Sequence, residues 1–156
     1  MNDQIAITKE IIEQLAGFLD ESAKVEYEES ATMGHVFNVF VNQPYQIIGR
    51  QGTILYALEF LARQAVFKKL GASARDFRFI IDIDDYRRKR EWYLKETAKQ
   101  AATQAKRTEQ PVTLEPMPSY ERRVVHAYIQ NNFQDMSSES VGNDPRRRIV
   151  IKKASR

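Results

Sequence analysis

Apolar side chains recur along the first half of the chain in two distinct spacings. Intervals of three and four residues predict helices, because they place apolar side chains on one helical face, whereas strict alternation predicts strands. Helices are predicted over residues 4–20 and 52–70, and strands over residues 24–29, 36–41 and 77–83. We expect Phe18, Leu19 and Leu61 to lie on the buried faces of these helices. This order of elements is typical of a small α+β domain with helices on one face of a sheet.

The second half of the chain predicts a long helix followed by a small α/β module. Residues 84–107 contain no Gly or Pro, and Asp84 or Asp85 is suited to be the N-cap of a helix there. A short extended piece, a helix over residues 119–133 and two strands joined by a Gly- and Pro-containing turn follow. The predicted division is residues 1–83, residues 84–153 and a basic tail of residues 154–156.

Charge is distributed unevenly around a net value of +3. Residues 1–31 hold eight acidic and two basic side chains, whereas residues 145–156 hold six basic side chains and no acidic one. This asymmetry predicts one face that repels a polyanion and another that attracts it. The chain has no Cys, which excludes disulfides and thiol catalysis, and no apolar run near the ~18 residues of a membrane span. We therefore expect a soluble cytoplasmic protein without membrane insertion.

A glycine-rich turn precedes the second predicted helix, in the run Ile-Ile-Gly-Arg-Gln-Gly-Thr-Ile-Leu of residues 47–55. Gly49 and Gly52 have no Cβ, so their backbone can approach a polyanion closely. The N-terminus of the following helix favours an anion at the same place, and Arg50 adds a positive charge. The spacing alone is also typical of an ordinary turn.

The context of this turn resembles the core motif of a KH domain. The pattern I-I-G-x-x-G-x-x-L lies after a strand and opens a helix, and the order αββααβ resembles the type II arrangement of that family. KH domains clamp single-stranded RNA through such a loop. The resemblance implies a short helix over residues 44–48, a groove for bases lined by Ile48 and Leu55, and a phosphate-facing loop of Gly49, Arg50, Gln51 and Gly52.

A second signature lies in the predicted helix over residues 119–133. Arg122 and His126 are one turn apart and therefore lie on the same side of it, where they could meet one phosphate or an acceptor of the protein itself. With the two strands that follow, the pair resembles the small domain family named after its Arg-x-x-x-His signature, which binds single-stranded nucleic acid. The resemblance implies contacts from Arg122 and His126, and additional phosphate contacts from Arg123, Arg146, Arg147 and Arg148.

The two signatures in this order resemble the bacterial Jag family, which joins a KH module to an Arg-x-x-x-His module. The segments LEPMPSYERRVVH and YRRKR carry the more specific part of the likeness. It implies a non-enzymatic binder of single-stranded nucleic acid, RNA preferred, that acts as a post-transcriptional regulator or RNA chaperone, needs no cofactor and pairs with a small KH-domain protein. Many members have a further N-terminal domain, and roles that depend on it are not implied for a sequence that begins at the first KH helix.

Three alternatives remain open from the residues. The second module would accept single-stranded DNA as well, since only contacts to the 2′-hydroxyl distinguish the two. Asp82 and Asp84 suit a divalent metal, which would allow a metal-dependent nuclease, although Asp at a strand end before a long helix is more typical of a cap. A KH fold that has lost RNA binding would serve as a protein scaffold. We predict no metal site and no catalytic residue.

Overall fold

The computed structural model describes residues 2–31 and 33–154, which divide into two compact units between Arg87 and Arg88. Ser155 and Arg156, two of the three residues of the predicted basic tail, lie outside the described residues. No helix in the described part of the chain is long and apolar enough to cross a membrane.

The first unit is a three-stranded sheet covered by helices. Its elements are α1 (Asn2–Gly17), β1 (Lys24–Ser30), β2 (Gly34–Phe40), α2 (Pro44–Ile48), α3 (Thr53–Leu70) and β3 (Phe79–Ile83). Strand β2 is central, antiparallel to β1 and parallel to β3. The predicted α+β class and the αββααβ order of a KH-like module are confirmed, including the short helix before the glycine-rich turn.

The core of this unit lies between one face of the sheet and the helices. Alternate residues of β2 and β3, such as Phe37 and Ile81, are fully buried against α1 and α3. Buried positions along α3 follow the three- and four-residue spacing of one helical face: Leu55, Leu58, Ala62 and Val66.

Three apolar residues do not lie where the pattern predicted. Helix α1 ends at Gly17, so Phe18 and Leu19 follow the helix and are exposed instead of extending its buried face. Leu61 is 53% exposed, because Leu58 and Ala62 already occupy the face of α3 that meets the sheet. The prediction of these three residues as core was wrong.

The second unit packs two helices on a second three-stranded sheet. Its elements are α4 (Tyr86–Thr108), which begins in the first unit, β4 (Val112–Thr113), α5 (Ser119–Asn132), β5 (Met136–Val141) and β6 (Arg148–Lys153). Strand β6 is central and antiparallel to both neighbours. The small Ala side chains along α4 and the buried Val125, Ile129, Ile149 and Ile151 form its core. The predicted long helix and small α/β module are confirmed.

Side chains from α3 and α4 bond the backbone at the free edge of β3. Arg63 Nη2 donates to the carbonyl of Phe79 at 2.8 Å, and Glu59 Oε2 accepts the N–H of Ile81 at 3.0 Å. Arg87 Nε donates to the carbonyl of Ile81 at 2.9 Å, and its guanidinium also bonds the Glu59 carboxylate. Because an unpaired edge is a template for strand addition, these bonds protect it, and they also fix the beginning of α4.

Candidate nucleic-acid interface

The glycine-rich loop adopts a conformation that requires both of its glycines. Gly49 and Gly52 have positive φ angles of 71° and 77°. A Cβ added at Gly49 would lie 2.6 Å from Ile54 Cγ1, and one at Gly52 would lie 2.8 Å from Tyr86 Cε1 and 2.9 Å from Tyr56 Cε2. The loop is therefore packed closely from below, and any larger residue at either position would force its neighbours to move.

The two residues between the glycines differ in exposure. Arg50 is exposed, and its side chain has no hydrogen-bond or ion-pair partner within residues 2–31 and 33–154. Gln51 is half-buried and left-handed, with φ 54°. The Thr53 hydroxyl donates to the carbonyl of Arg50 at 2.9 Å and so ties the loop to the first turn of α3. The loop thus holds an unpaired cation on a fixed backbone just before a helix N-terminus, which is a suitable arrangement for a phosphate.

The apolar residues expected to line the groove belong to the hydrophobic core. Ile48 and Leu55 are both buried among the residues between sheet and helices. The apolar side chains exposed beside the loop are Tyr45 and Ile54, which the sequence did not single out. Tyr45 precedes the loop by one helical turn, and its carbonyl accepts the N–H of Gly49 at 3.0 Å. Tyr45 therefore presents an exposed ring one helical turn before the loop.

Arg122 is held by two acceptors of the protein itself. Its Nη1 donates to the backbone carbonyl of Met117 at 2.6 Å and to Asp144 Oδ1 at 2.9 Å. The side chain of Arg122 is 7% exposed and that of Asp144 is 67% exposed. The guanidinium therefore lies below the surface, with a carboxylate from the turn between β5 and β6 beside it.

His126 is bonded by two hydroxyls of strand β5. Its Nδ1 lies 2.7 Å from Ser138 Oγ and its Nε2 lies 2.9 Å from Ser140 Oγ. Burial lowers the pKa of His126 below its ordinary value, and the positive charges of Arg122 and Arg147 lower that pKa further. The lowered pKa favours the neutral imidazole, in which one ring nitrogen donates and the other accepts. The β5 serines were missed by sequence reasoning, although their i, i+2 spacing places both on one face of a strand.

The additional arginines differ in their surroundings. Arg123 and Arg146 are exposed, and Arg148 Nε donates to the carbonyl of Arg146 at 3.3 Å. Arg147 is half-buried, and its Nε is buried without a hydrogen-bond partner in the described part of the chain. Arg147 thus brings an unsatisfied donor to the neighbourhood of His126.

A buried ion pair positions the start of α5. Arg90 bonds the Glu121 carboxylate with two nitrogens, Nε at 2.8 Å and Nη2 at 2.9 Å. Glu121 is fully buried, so breaking this two-point contact would leave a charge without compensation. Because Glu121 immediately precedes Arg122, the pair fixes the helix turn that carries the Arg-x-x-x-His signature.

One carboxylate before α4 bonds the backbone at the start of that helix. Asp82 is buried, and its Oδ1 accepts the N–H of Ile83 at 3.0 Å and that of Arg87 at 3.2 Å. Burial raises the pKa of Asp82, while these two hydrogen bonds oppose the rise. Asp84 and Asp85, the residues the sequence favoured as cap, have left-handed φ angles of 52° and 56°, and the carboxylate that bonds the N–H of Arg87 is that of Asp82, which the sequence offered as a metal ligand or a cap. Among the described residues, no group of three or more His, Asp or Glu side chains could hold a metal ion.

Comparison with known proteins bears on both units. Residues 93–153 match the Arg-x-x-x-His domain, the family named after that signature. The chain is also similar to RNA-binding protein KhpB of Clostridium symbiosum, with 35% identity over 81% of this chain and 55% of the relative. The KhpB proteins of Lactiplantibacillus plantarum and Bacillus subtilis are 38% and 34% identical over 67% of this chain and 31% and 50% of their own lengths. The predicted resemblance to the Jag family is confirmed.

The Jag-family similarity extends beyond the Arg-x-x-x-His domain. A segment that covers 81% of the chain necessarily includes the loop at residues 49–52, which lies outside the match to that domain. The chain spans about half the length of the Clostridium and Bacillus KhpB proteins and about a third of the Lactiplantibacillus one.

Proposed function

We propose that this chain binds single-stranded RNA and acts as a post-transcriptional regulator or RNA chaperone. The observation that carries the proposal is the loop at residues 49–52, where two glycines with positive φ hold the unpaired Arg50 outward before a helix N-terminus. The similarity to several proteins named RNA-binding protein KhpB supports RNA as the ligand. Binding involves no catalytic step and no cofactor.

In the first unit, the loop would receive the phosphate backbone. Arg50 and the α3 N-terminus would both favour the negative charge, and Gln51 would donate hydrogen bonds. Because Gly49 and Gly52 have no side chain, the sugar–phosphate chain could lie directly on the loop backbone. A base that follows the bound phosphate could stack on the exposed ring of Tyr45, which is possible only for an unpaired base.

In the second unit, Arg122, His126 and Arg147 would meet a phosphate. Arg122 supplies a permanent charge, and Arg147 supplies the buried donor that the protein itself leaves unsatisfied. A weaker electrostatic attraction, screened by solvent, would come from Arg123, Arg146 and Arg148. The match to the Arg-x-x-x-His domain covers all of these residues, which supports their assignment to one interface.

A direct comparison of ligands tests the proposal. We expect single-stranded RNA to bind more tightly than a duplex of equal length, and single-stranded DNA of the same sequence to bind through the same residues. Equal affinity for single strand and duplex would reduce the interaction to general electrostatics and contradict the proposal. The same samples, incubated with Mg²⁺ and run on a denaturing gel, test the nuclease alternative: the RNA should stay intact, and cleavage lost in Asp82→Asn and Asp84→Asn would favour that alternative.

We also propose that the first unit pairs with a small KH-domain protein, as the Jag resemblance implies. The outer side of α3 exposes Phe60, Leu61 and Phe67, an apolar surface that suits a protein partner. Leu61→Glu should abolish co-elution with such a partner while leaving the affinity for RNA within about twofold, because exposed substitutions rarely disturb distant sites.

A further inference from the structure

Asp144 lies between a buried cation and the solvent. Its carboxylate accepts a hydrogen bond from Arg122 Nη1 at 2.9 Å. The Arg122 side chain is almost completely buried, whereas Asp144 belongs to the exposed turn between β5 and β6. A ligand that approaches Arg122 from the solvent therefore meets a negative charge before it meets the guanidinium.

The surroundings of Asp144 are otherwise positive. Arg122 and Arg147 both lower the pKa of His126, and both bond Met117: Arg122 Nη1 donates to the Met117 carbonyl, and the N–H of Met117 donates to the carbonyl of Arg147 at 3.2 Å. Arg147 also brings its buried, unpartnered Nε. Within residues 2–31 and 33–154, Asp144 is the only acid in a salt bridge with any of these three side chains. These basic groups would suit the binding of an anion, and in the free protein the anion beside them is the Asp144 carboxylate.

We infer that Asp144 is an internal competitor for the RNA phosphate: its carboxylate occupies Arg122 in the free protein, and a phosphate replaces it on binding. This inference rests on the proposed function. Carboxylate and phosphate both accept charge-assisted hydrogen bonds from a guanidinium, so Arg122 keeps a charged acceptor throughout the exchange. The two anions repel each other at such short range, so they cannot share the guanidinium without loss.

The exchange makes this site selective. An isolated anion must displace a carboxylate that is covalently attached and always present at high effective concentration. A single-stranded RNA is also held by neighbouring cations, so its phosphate does not have to displace Asp144 through its affinity for Arg122 alone. Asp144 thus lowers the affinity for small anions and for sparsely charged ligands more than the affinity for an extended RNA.

Two substitutions of Asp144 separate the effect of its charge from its effect on the orientation of Arg122. Asp144→Asn keeps an oxygen acceptor for Arg122 but removes the charge, and Asp144→Ala removes both. Glu109→Gln is the matched control, because Glu109 is 71% exposed and pairs at 3.0 Å with Lys153, the residue that ends β6 on the side away from the turn. All three variants change the net charge by the same amount.

We expect Asp144→Asn and Asp144→Ala to bind a short oligouridine roughly three- to tenfold more tightly than the unmodified chain, since a repulsive charge leaves the site. Glu109→Gln should change the affinity by less than about twofold, as expected for a screened, distant charge. The gain should vanish when Asp144→Asn is combined with Arg122→Ala. Asp144→Glu, which keeps the charge, should bind as the unmodified chain does.

Unchanged or weaker binding by both Asp144 variants, with Arg122→Ala also weakened, would overturn the inference and make Asp144 a residue that orients Arg122. Wild-type affinity in Arg122→Ala, His126→Ala and a loop variant alike would instead overturn the proposed function. Melting temperatures of each variant, and affinities corrected for the folded fraction, prevent a loss of folding from being read as either result.

Discussion

Arg50 of the glycine-rich loop is exposed and has no partner in the described part of the chain, whereas Arg122 of helix α5 is buried and bonds Met117 and Asp144. The loop is formed by backbone geometry: two glycines with positive φ and a close layer of Tyr56 and Tyr86 beneath. In α5, side-chain hydrogen bonds within the protein hold Arg122 and His126. The same residue type is therefore free in one unit and engaged in the other.

This difference indicates two ways of offering a cation to a polyanion. The loop is pre-organised, so binding there requires no bond in the protein to break. At Arg122 a phosphate must replace an existing acceptor, so the net gain is smaller and the same residues also contribute to stability. Substitutions should therefore separate binding from folding in the loop and should affect both at α5.

The largest effect is expected in the loop. Replacing Arg50 and Gln51 together by Asp puts two carboxylates where phosphate must approach, and we expect the affinity for single-stranded RNA to fall more than about tenfold. Asp tolerates the left-handed conformation at Gln51, so the melting temperature should stay nearly unchanged. Affinity can be measured by fluorescence anisotropy and stability by thermal melting followed by circular dichroism.

An exposed arginine beyond the far end of α3 provides a control, in which the net charge changes by two against three in the loop variant. Arg75 follows that helix, whereas the loop precedes it. Arg75→Asp should weaken RNA binding by no more than about twofold, as a distant screened charge does. Equal losses from the loop variant and from Arg75→Asp would mean that only net charge matters, and the contrast between the two regions would disappear.

The sequence predicted more of the framework than of the interactions within the site. Element order followed from apolar spacing and the loop from two glycines, because both patterns are local in the chain. The buried state of Arg122 depends on Met117 and Asp144, which lie 5 and 22 positions away. An i, i+4 spacing places Arg122 and His126 on one side of a helix, but it cannot tell whether a strand will lie against that side.

The same limit explains the misplaced apolar residues. Leu61 has the residue type and spacing of a core position, yet the sheet meets a narrower face of α3 than the pattern covers. Asp82 was considered as a metal ligand or a cap, and only the turn of the backbone at Asp84 and Asp85 brings its carboxylate back to the N–H of Arg87. Such outcomes depend on tertiary packing that a one-dimensional pattern does not contain.

The next effect in size is expected for Arg122→Ala. Loss of the guanidinium removes one phosphate contact, so the slope of log affinity against log salt should fall by roughly one. It also leaves the Met117 carbonyl without its donor, which should lower the free energy of unfolding by about 1–3 kcal/mol. The loss in binding should not add to that of His126→Ala, because neighbours that share a ligand are coupled. Strict additivity, or a binding loss fully explained by the unfolded fraction, would remove Arg122 from the interface.

The smallest effect concerns His126 and pH, and its sign distinguishes a structural role from a binding role. The pKa of His126 is lowered in the folded chain by burial and by Arg122 and Arg147, so the folded state takes up a proton less readily than the unfolded state. Its contribution to stability is therefore fully present above about pH 6.5, the unfolded value, and is lost as the pH falls toward the lower folded pKa. We expect the melting temperature of the unmodified chain to fall more between pH 7.5 and pH 5.5 than that of His126→Gln. Because the two chains share every other titrating group, the difference between them reports His126.

A phosphate beside the ring would favour the charged imidazole, so RNA affinity should rise over the same interval in the unmodified chain and rise less in the variant. If stability shows the dependence on His126 and affinity does not, the imidazole only holds strand β5 through Ser138 and Ser140, and the phosphate contact belongs to the arginines alone.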